Sequence, residues 1–123
     1  MRFENMALVA LGGNMPSDRG APGETLRAAL ARLADRGVTV EAVSAFYNTP
    51  CFPPGAGPDY VNAAATLHWN GTPDALLRML HGIEAEFGRA RDIRWGRRTL
   101  DLDLIGLGDR VLPDPDAASF STM

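Results

Sequence analysis

Two stretches of this chain repeat their apolar residues at helical spacing, and the runs around them alternate with a period of two, a succession that leaves few folds open. From Pro22 to Arg36 the residues Leu26, Ala29, Leu30, Leu33 and Ala34 share one stripe, with Pro22 in the first turn and Gly37 just past the end. The second stripe is Leu76, Leu77, Leu80, Ile83 and Phe87. Thr72 is its expected N-cap, Pro73 its first helical residue, Asp74 an early acid, and Gly88 its end.

The intervening runs read as strands. Met6 to Leu11 is a short buried strand that gives way at Gly12-Gly13-Asn14 to an expected turn, where backbone could approach a ligand or another loop closely. Val38 to Tyr47 alternates as one half-buried strand. A loop from Asn48 to Pro58 follows, with four prolines and two glycines but also the apolar Cys51 and Phe52. Asp59 to Trp69 is the next strand, with Tyr60, Asn62 and Ala64 on one face and Val61, Ala63, Ala65 and Leu67 on the other. Thr99 to Leu107 is the last. The order βαββαβ specifies a ferredoxin-like α+β sandwich, an antiparallel sheet with both helices on one face. With 123 residues, a single domain over 1–112 and an irregular tail over 113–123 are expected.

The last strand carries an unusual cargo. Leu100, Leu102 and Leu104 take one face, so Asp101 and Asp103 share the other, about 7 Å apart at a rise of about 3.3 Å per residue. Two carboxylates there repel one another, and burying them calls for a cation, for which magnesium is the natural candidate. The plain alternative is a solvated face salt-bridged to nearby arginines. Immediately upstream, Arg89, Arg91, Arg94, Arg97 and Arg98 surround Trp95 with Asp92 as the only acid, which reads as an anion site. A solvated charge run and an RNA-binding patch are the other readings of that loop; the adjoining acids argue against RNA, whose backbone they would repel. His81 and Glu84 lie three apart on the second helix, beside its apolar stripe, where a surface contact is the simplest reading.

Net charge of -3 and a pI near 5.2 speak against a general nucleic-acid or anionic-membrane surface. All 12 basic residues are arginine, so any phosphate is held by guanidinium or backbone, and P-loop and Schiff-base lysine chemistry is excluded. Cys51, the single cysteine, offers neither an internal disulfide nor a zinc quartet, and the Met6–Leu11 run is too short for a signal or a span. A soluble cytoplasmic protein, monomeric and without nucleic-acid or membrane partners, is the expectation.

Five motifs in one order resemble the 6-hydroxymethyl-7,8-dihydropterin pyrophosphokinase family of the folate pathway. They are Ala10-Leu11-Gly12-Gly13-Asn14, Phe46-Tyr47-Asn48-Thr49-Pro50, Pro58-Asp59-Tyr60-Val61-Asn62-Ala63, Ile83-Glu84 with Gly88-Arg89-Ala90-Arg91, and Arg94 through Asp103. The resemblance covers roughly residues 6–112. It implies transfer of the terminal diphosphate of ATP to the pterin hydroxymethyl group, with release of AMP, and two magnesium ions held by Asp101 and Asp103.

By the same resemblance Thr49, Pro50, Phe52, Tyr60 and Asn62 frame the pterin, Tyr60 stacking on it and Asn62 reading its polar edge. His81, Glu84, Arg89, Arg91, Trp95 and Arg98 surround ATP, with Arg89 and Arg98 counted among the catalytic groups. Gly13, His81 and Arg97 stand where the family usually has Ser, Gln and Pro. The family continues into a segment bearing a histidine, an arginine and an aromatic, which residues 113–123 do not match, so a non-catalytic pterin- or nucleotide-binding module is the alternative expectation.

Overall fold

A computed structural model describes residues 5–50, 53, 55, 57–87, 99–108 and 110–111 of the chain. The elements are β1 (Met6–Gly13), α1 (Pro22–Asp35), β2 (Thr39–Val43), β3 (Tyr47–Thr49), β4 (Tyr60–His68), α2 (Pro73–Glu86), β5 (Asp101–Leu107) and β6 (Arg110–Val111). The sheet runs β2-β4-β1-β5-β6, with β3 also on β4, and every pairing is antiparallel. This is the ferredoxin-like α+β sandwich expected from the order of periods. The proposed tail at 113–123 lies outside the described residues.

Alternation decides which face the helices cover. In β1 the buried side chains are Ala7, Val9 and Leu11, in β4 Ala63, Ala65 and Leu67, and in β5 Leu102 and Leu104. Leu26, Ala29 and Leu33 of α1 and Leu76, Leu80 and Ile83 of α2 close the same core. Each such valine, leucine or isoleucine side chain contributes about 1.5–3 kcal/mol when fully buried. The other face is open, and Leu8 and Ile105 are exposed on it.

Both helices begin as their sequences dictate, and the first also ends so; Gly88, the expected end of the second, lies outside the described residues. The Thr72 hydroxyl accepts the Ala75 N–H at 3.1 Å, and Pro73 follows at the first position. In α1 the Glu24 carboxylate accepts the Ala21 N–H at 3.1 Å, and Gly37 takes a φ of 87° just past the helix, where a Cβ would be strained. Arg32 of α1 and Arg36 just past it both pair with Glu86 at the end of α2, Arg32 Nε lying 2.7 Å from Oε1. Among the described residues no helix is long and apolar enough to cross a membrane.

Two expectations are corrected. Gly12 and Gly13 continue β1 rather than forming a turn, for each has a β4 partner, Asn62 and Val61. The single strand expected over Val38–Tyr47 is two, and β3 takes in Asn48 and Thr49 from the expected loop. The physical reason is a register shift between Val40 and Ala42, after which Ser44 pairs with Ala64 partly through its side chain. The Ala64 carbonyl accepts the Ser44 N–H at 2.8 Å, while the Ser44 hydroxyl accepts the Ala64 N–H at 2.9 Å. A hydroxyl in place of a backbone carbonyl lets the chain leave the sheet and rejoin it.

Candidate active site

The open face of the sheet carries the candidate residues in one row. Across adjacent strands Tyr47 pairs with Asn62, Asn62 with Gly12, and Gly12 with Asp101. Strands lie about 4.8 Å apart, so Asn62 and Asp101 stand about 10 Å apart with only glycine between them. One step along, Ala10 lies between Ala64 and Asp103. These small residues of β1 leave a cavity of about 240 Å3, floored by Ala10, Leu11 and Gly12 and walled by Thr49, Tyr60, Asn62, Asp101 and Asp103.

The acids face this cavity because the leucines beside them are anchored. Leu100, Leu102 and Leu104 are buried in the core, which turns Asp101 and Asp103 to the opposite side, Asp101 half-buried and Asp103 exposed. Both are hard oxygen donors beside open space. Among the described residues no cluster of three or more potential metal ligands occurs. A carboxylate pair fits magnesium nonetheless, since that ion is held by one or two carboxylates and takes its remaining oxygens from water and substrate phosphate.

The opposite wall is built to hold an amide still. The Asn62 Nδ2 donates to the Thr49 hydroxyl at 2.9 Å and lies 3.4 Å from the Tyr47 carbonyl, so β3 fixes the side chain from the edge of β4. Asn14, 1% exposed just past β1, donates to the Pro58 carbonyl at 2.9 Å and ties down the segment entering Tyr60. Thr49 is half-buried, and Pro50 follows it, exposed and outside the cavity wall.

Glu84 reaches this neighbourhood from the other layer. Its Oε2 accepts the Leu102 N–H at 2.7 Å, between the two acids of β5. Burial is the main cause that raises its carboxyl above the usual range. The Leu102 hydrogen bond and the charge of His81 pull it back, and Asp101 and Asp103 push it further up. His81 itself is exposed, whereas Glu84 is half-buried and turned to the Leu102 N–H, so Glu84 is more than the surface residue that the spacing suggests. Arg89, Arg91, Trp95 and Arg98, with Phe52, lie outside the described residues.

Sequence reasoning let the backbone of the Gly12-Gly13-Asn14 run approach a ligand but gave neither Gly12 nor Asn14 a named role in the site. The signal for both was their place in the Gly12-Gly13-Asn14 run, whose pairing partners only the tertiary structure supplies.

Residues 8–122 match the family model described as 7,8-dihydro-6-hydroxymethylpterin-pyrophosphokinase. Among curated relatives named 2-amino-4-hydroxy-6-hydroxymethyldihydropteridine pyrophosphokinase, that of Synechocystis is 46% identical over 107 residues, covering 86% of this chain and 52% of its own. That of Pseudomonas aeruginosa is 42% identical over 110 residues, covering 87% and 64%. That of Pseudomonas putida is 43% identical over 110 residues, covering 89% and 88%. The chain thus spans between half and two thirds of the length of the first two relatives, and most of the third. With the βαββαβ sandwich, the paired acids and the amide wall on one open face, the chain belongs to the 7,8-dihydro-6-hydroxymethylpterin-pyrophosphokinase family.

Proposed function

We propose that this protein transfers the terminal diphosphate of ATP to the hydroxymethyl group of 6-hydroxymethyl-7,8-dihydropterin, giving AMP and the pterin diphosphate for folate biosynthesis. The observation that carries this reading is the row Asn62–Gly12–Asp101, which sets a fixed hydrogen-bonding wall facing a carboxylate pair across one cavity. One wall suits the polar edge of a flat heterocycle, and the other, with a cation, suits a polyphosphate.

In this reading the pterin hydroxyl oxygen forms a bond to the β-phosphorus of ATP as the bond from that phosphorus to the AMP oxygen breaks, and the hydroxyl proton is released. Asn62, oriented by Thr49, reads the polar edge of the ring, and Tyr60 stacks on it, with Pro50 and Phe52 completing the frame. Asp101 and Asp103 would hold two magnesium ions. When bound, magnesium neutralises the polyphosphate and lowers the pKa of an oxygen it contacts. His81, Arg91 and Trp95 bind ATP, while Arg89 and Arg98 offset charge on the reacting phosphates. The acidic balance of the chain supports a soluble cytoplasmic monomer that binds neither nucleic acid nor membrane.

Incubation with ATP, magnesium and the hydroxymethyl dihydropterin, followed by chromatography for AMP and the pterin diphosphate, tests the proposal. Formation of both in equal amounts is expected. Absence of AMP while the pterin still raises the melting temperature would replace the enzyme with a binding module.

A further inference from the structure

The outer side of β5 is held differently from its inner side. On the inner side β1 pairs with it from Asp101 to Leu107, whereas among the described residues β6 reaches Gly106 and Leu107 on the other. At Leu102 the edge group is the backbone N–H, and the side chain that satisfies it is Glu84, at 2.7 Å from α2. A half-buried carboxylate is an expensive group to bring here, close to two further acids. Its hydrogen bond falls on the one residue that separates Asp101 from Asp103.

We propose that Glu84 is a positioning residue, whose carboxylate fixes the Leu102 peptide and thereby the spacing and direction of the Asp101 and Asp103 side chains. This rests on the reading of those two acids as the magnesium pair. Glu84 then acts through β5, without touching ATP. The two acids repel each other before a cation arrives, and a strand edge free at Leu102 would let them splay. With the peptide held, the pair is preorganised for the ion.

Three substitutions separate reach, charge and hydrogen bonding. Glu84→Gln retains a carbonyl oxygen that can accept the Leu102 N–H. Glu84→Ala removes the acceptor, and Glu84→Asp keeps the charge but shortens the reach by one methylene. Amide exchange at Leu102, measured by NMR, is the readout that needs neither metal nor turnover. Protection is expected to fall about tenfold or more in the Ala and Asp variants, the loss of one charge-assisted hydrogen bond, and to change less than about threefold in the Gln variant.

Titration with Mn2+ is expected to follow the same order, weakening about tenfold for Ala and Asp and little for Gln. In turnover, Ala and Asp should lower kcat and raise the magnesium requirement while leaving KM for ATP within about twofold. Thermal melts confirm that each variant still unfolds cooperatively.

Two results overturn the proposal. One is a raised KM for ATP in Gln, Asp and Ala alike with Leu102 protection intact, which would make Glu84 a nucleotide contact. The other is loss of protection with no change in Mn2+ affinity, which would make the bond merely structural. Absence of turnover in the unaltered protein strikes the reaction reading alone, because exchange and Mn2+ titration still decide the role of Glu84.

Discussion

Replacing Gly12 with alanine tests the cavity floor with one methyl group. Gly12 is paired on both sides, to Asn62 and to Asp101, and a Cβ there would lie 3.2 Å from Asn62 Oδ1 and 3.7 Å from the Val61 carbonyl. The first contact is too close, so the Asn62 amide must retreat by a few tenths of an ångström. That amide is pinned at 2.9 Å to Thr49, and the shift weakens a hydrogen bond worth about 1 kcal/mol. Against this, alanine reduces the freedom of the unfolded chain and returns about 0.4–1 kcal/mol, since the site is extended strand without a positive φ.

The two terms nearly cancel, so the melting temperature should hardly move. Binding should not be spared: a displaced Asn62 loses about 1–1.4 kcal/mol of ligand contact, a five- to tenfold weaker pterin Kd. Calorimetric melting and isothermal titration with the pterin measure the two effects separately. Gly82→Ala in α2 is the control, because its new Cβ meets only Arg36 Nη1 at an ordinary 3.7 Å. It should gain up to about 1 kcal/mol of helix propensity and leave pterin affinity unchanged. A Gly12→Ala protein that binds pterin within about twofold of the original would refute the Asn62 argument, as would a loss of stability well beyond about 1 kcal/mol.

Asp101→Asn and Asp103→Asn should each lower turnover by about a hundredfold or more and abolish magnesium-dependent thermal stabilisation. The ligand-free Asp103→Asn protein should melt no lower than the original, because the change relieves repulsion along β5; near-normal turnover in Asp101→Asn would remove it from the mechanism. Hydrogen bonding from Arg32, and then from Arg36, holds the Glu86 carboxyl below its usual range despite an opposing burial effect. A depressed folded pKa gives stability that is present above the unfolded value near 4.3 and lost as pH falls through the folded one. Melts across the acid range should therefore show a low-pH loss that Glu86→Gln lacks, and identical pH profiles would contradict the pairing. Asn14→Asp keeps the shape of a buried side chain but cannot, when ionised, donate to the Pro58 carbonyl. It should cost about 1–3 kcal/mol in urea unfolding and loosen the segment before Tyr60, detectable as faster proteolysis there.

Much of this architecture could be read from spacing. The stripe through Leu26, Ala29 and Leu33 and that through Leu76, Leu80 and Ile83 are the buried faces of α1 and α2, and the alternation around Asp101 and Asp103 placed both acids on the face away from the core. What could not be read depends on partners distant in sequence. Strand propensity alone does not show that Ser44 will lend its hydroxyl to Ala64 and split one expected strand into β2 and β3. Nor does the His81–Glu84 spacing reveal that Glu84 turns toward Leu102, which lies on another element and in another layer. On the pterin side, Thr49 and Asn62 were legible through motif resemblance, but their mutual hydrogen bond follows only from the β3–β4 register.

The order of strands in the sheet also sets an order in time. Of the described strands β1 is synthesised first and lies between β4 and β5, so among them it has no sheet neighbour until β4 has emerged and is half-open until β5 follows. Gly12 meets Asp101 only after every described element from β1 to α2 has been made. Pairings so distant in sequence close slowly, because loop entropy is spent before the contact rewards it. The carboxylate pair therefore arrives with the strand that completes the central sheet, and no nascent chain carries a finished cation site before its core is closed.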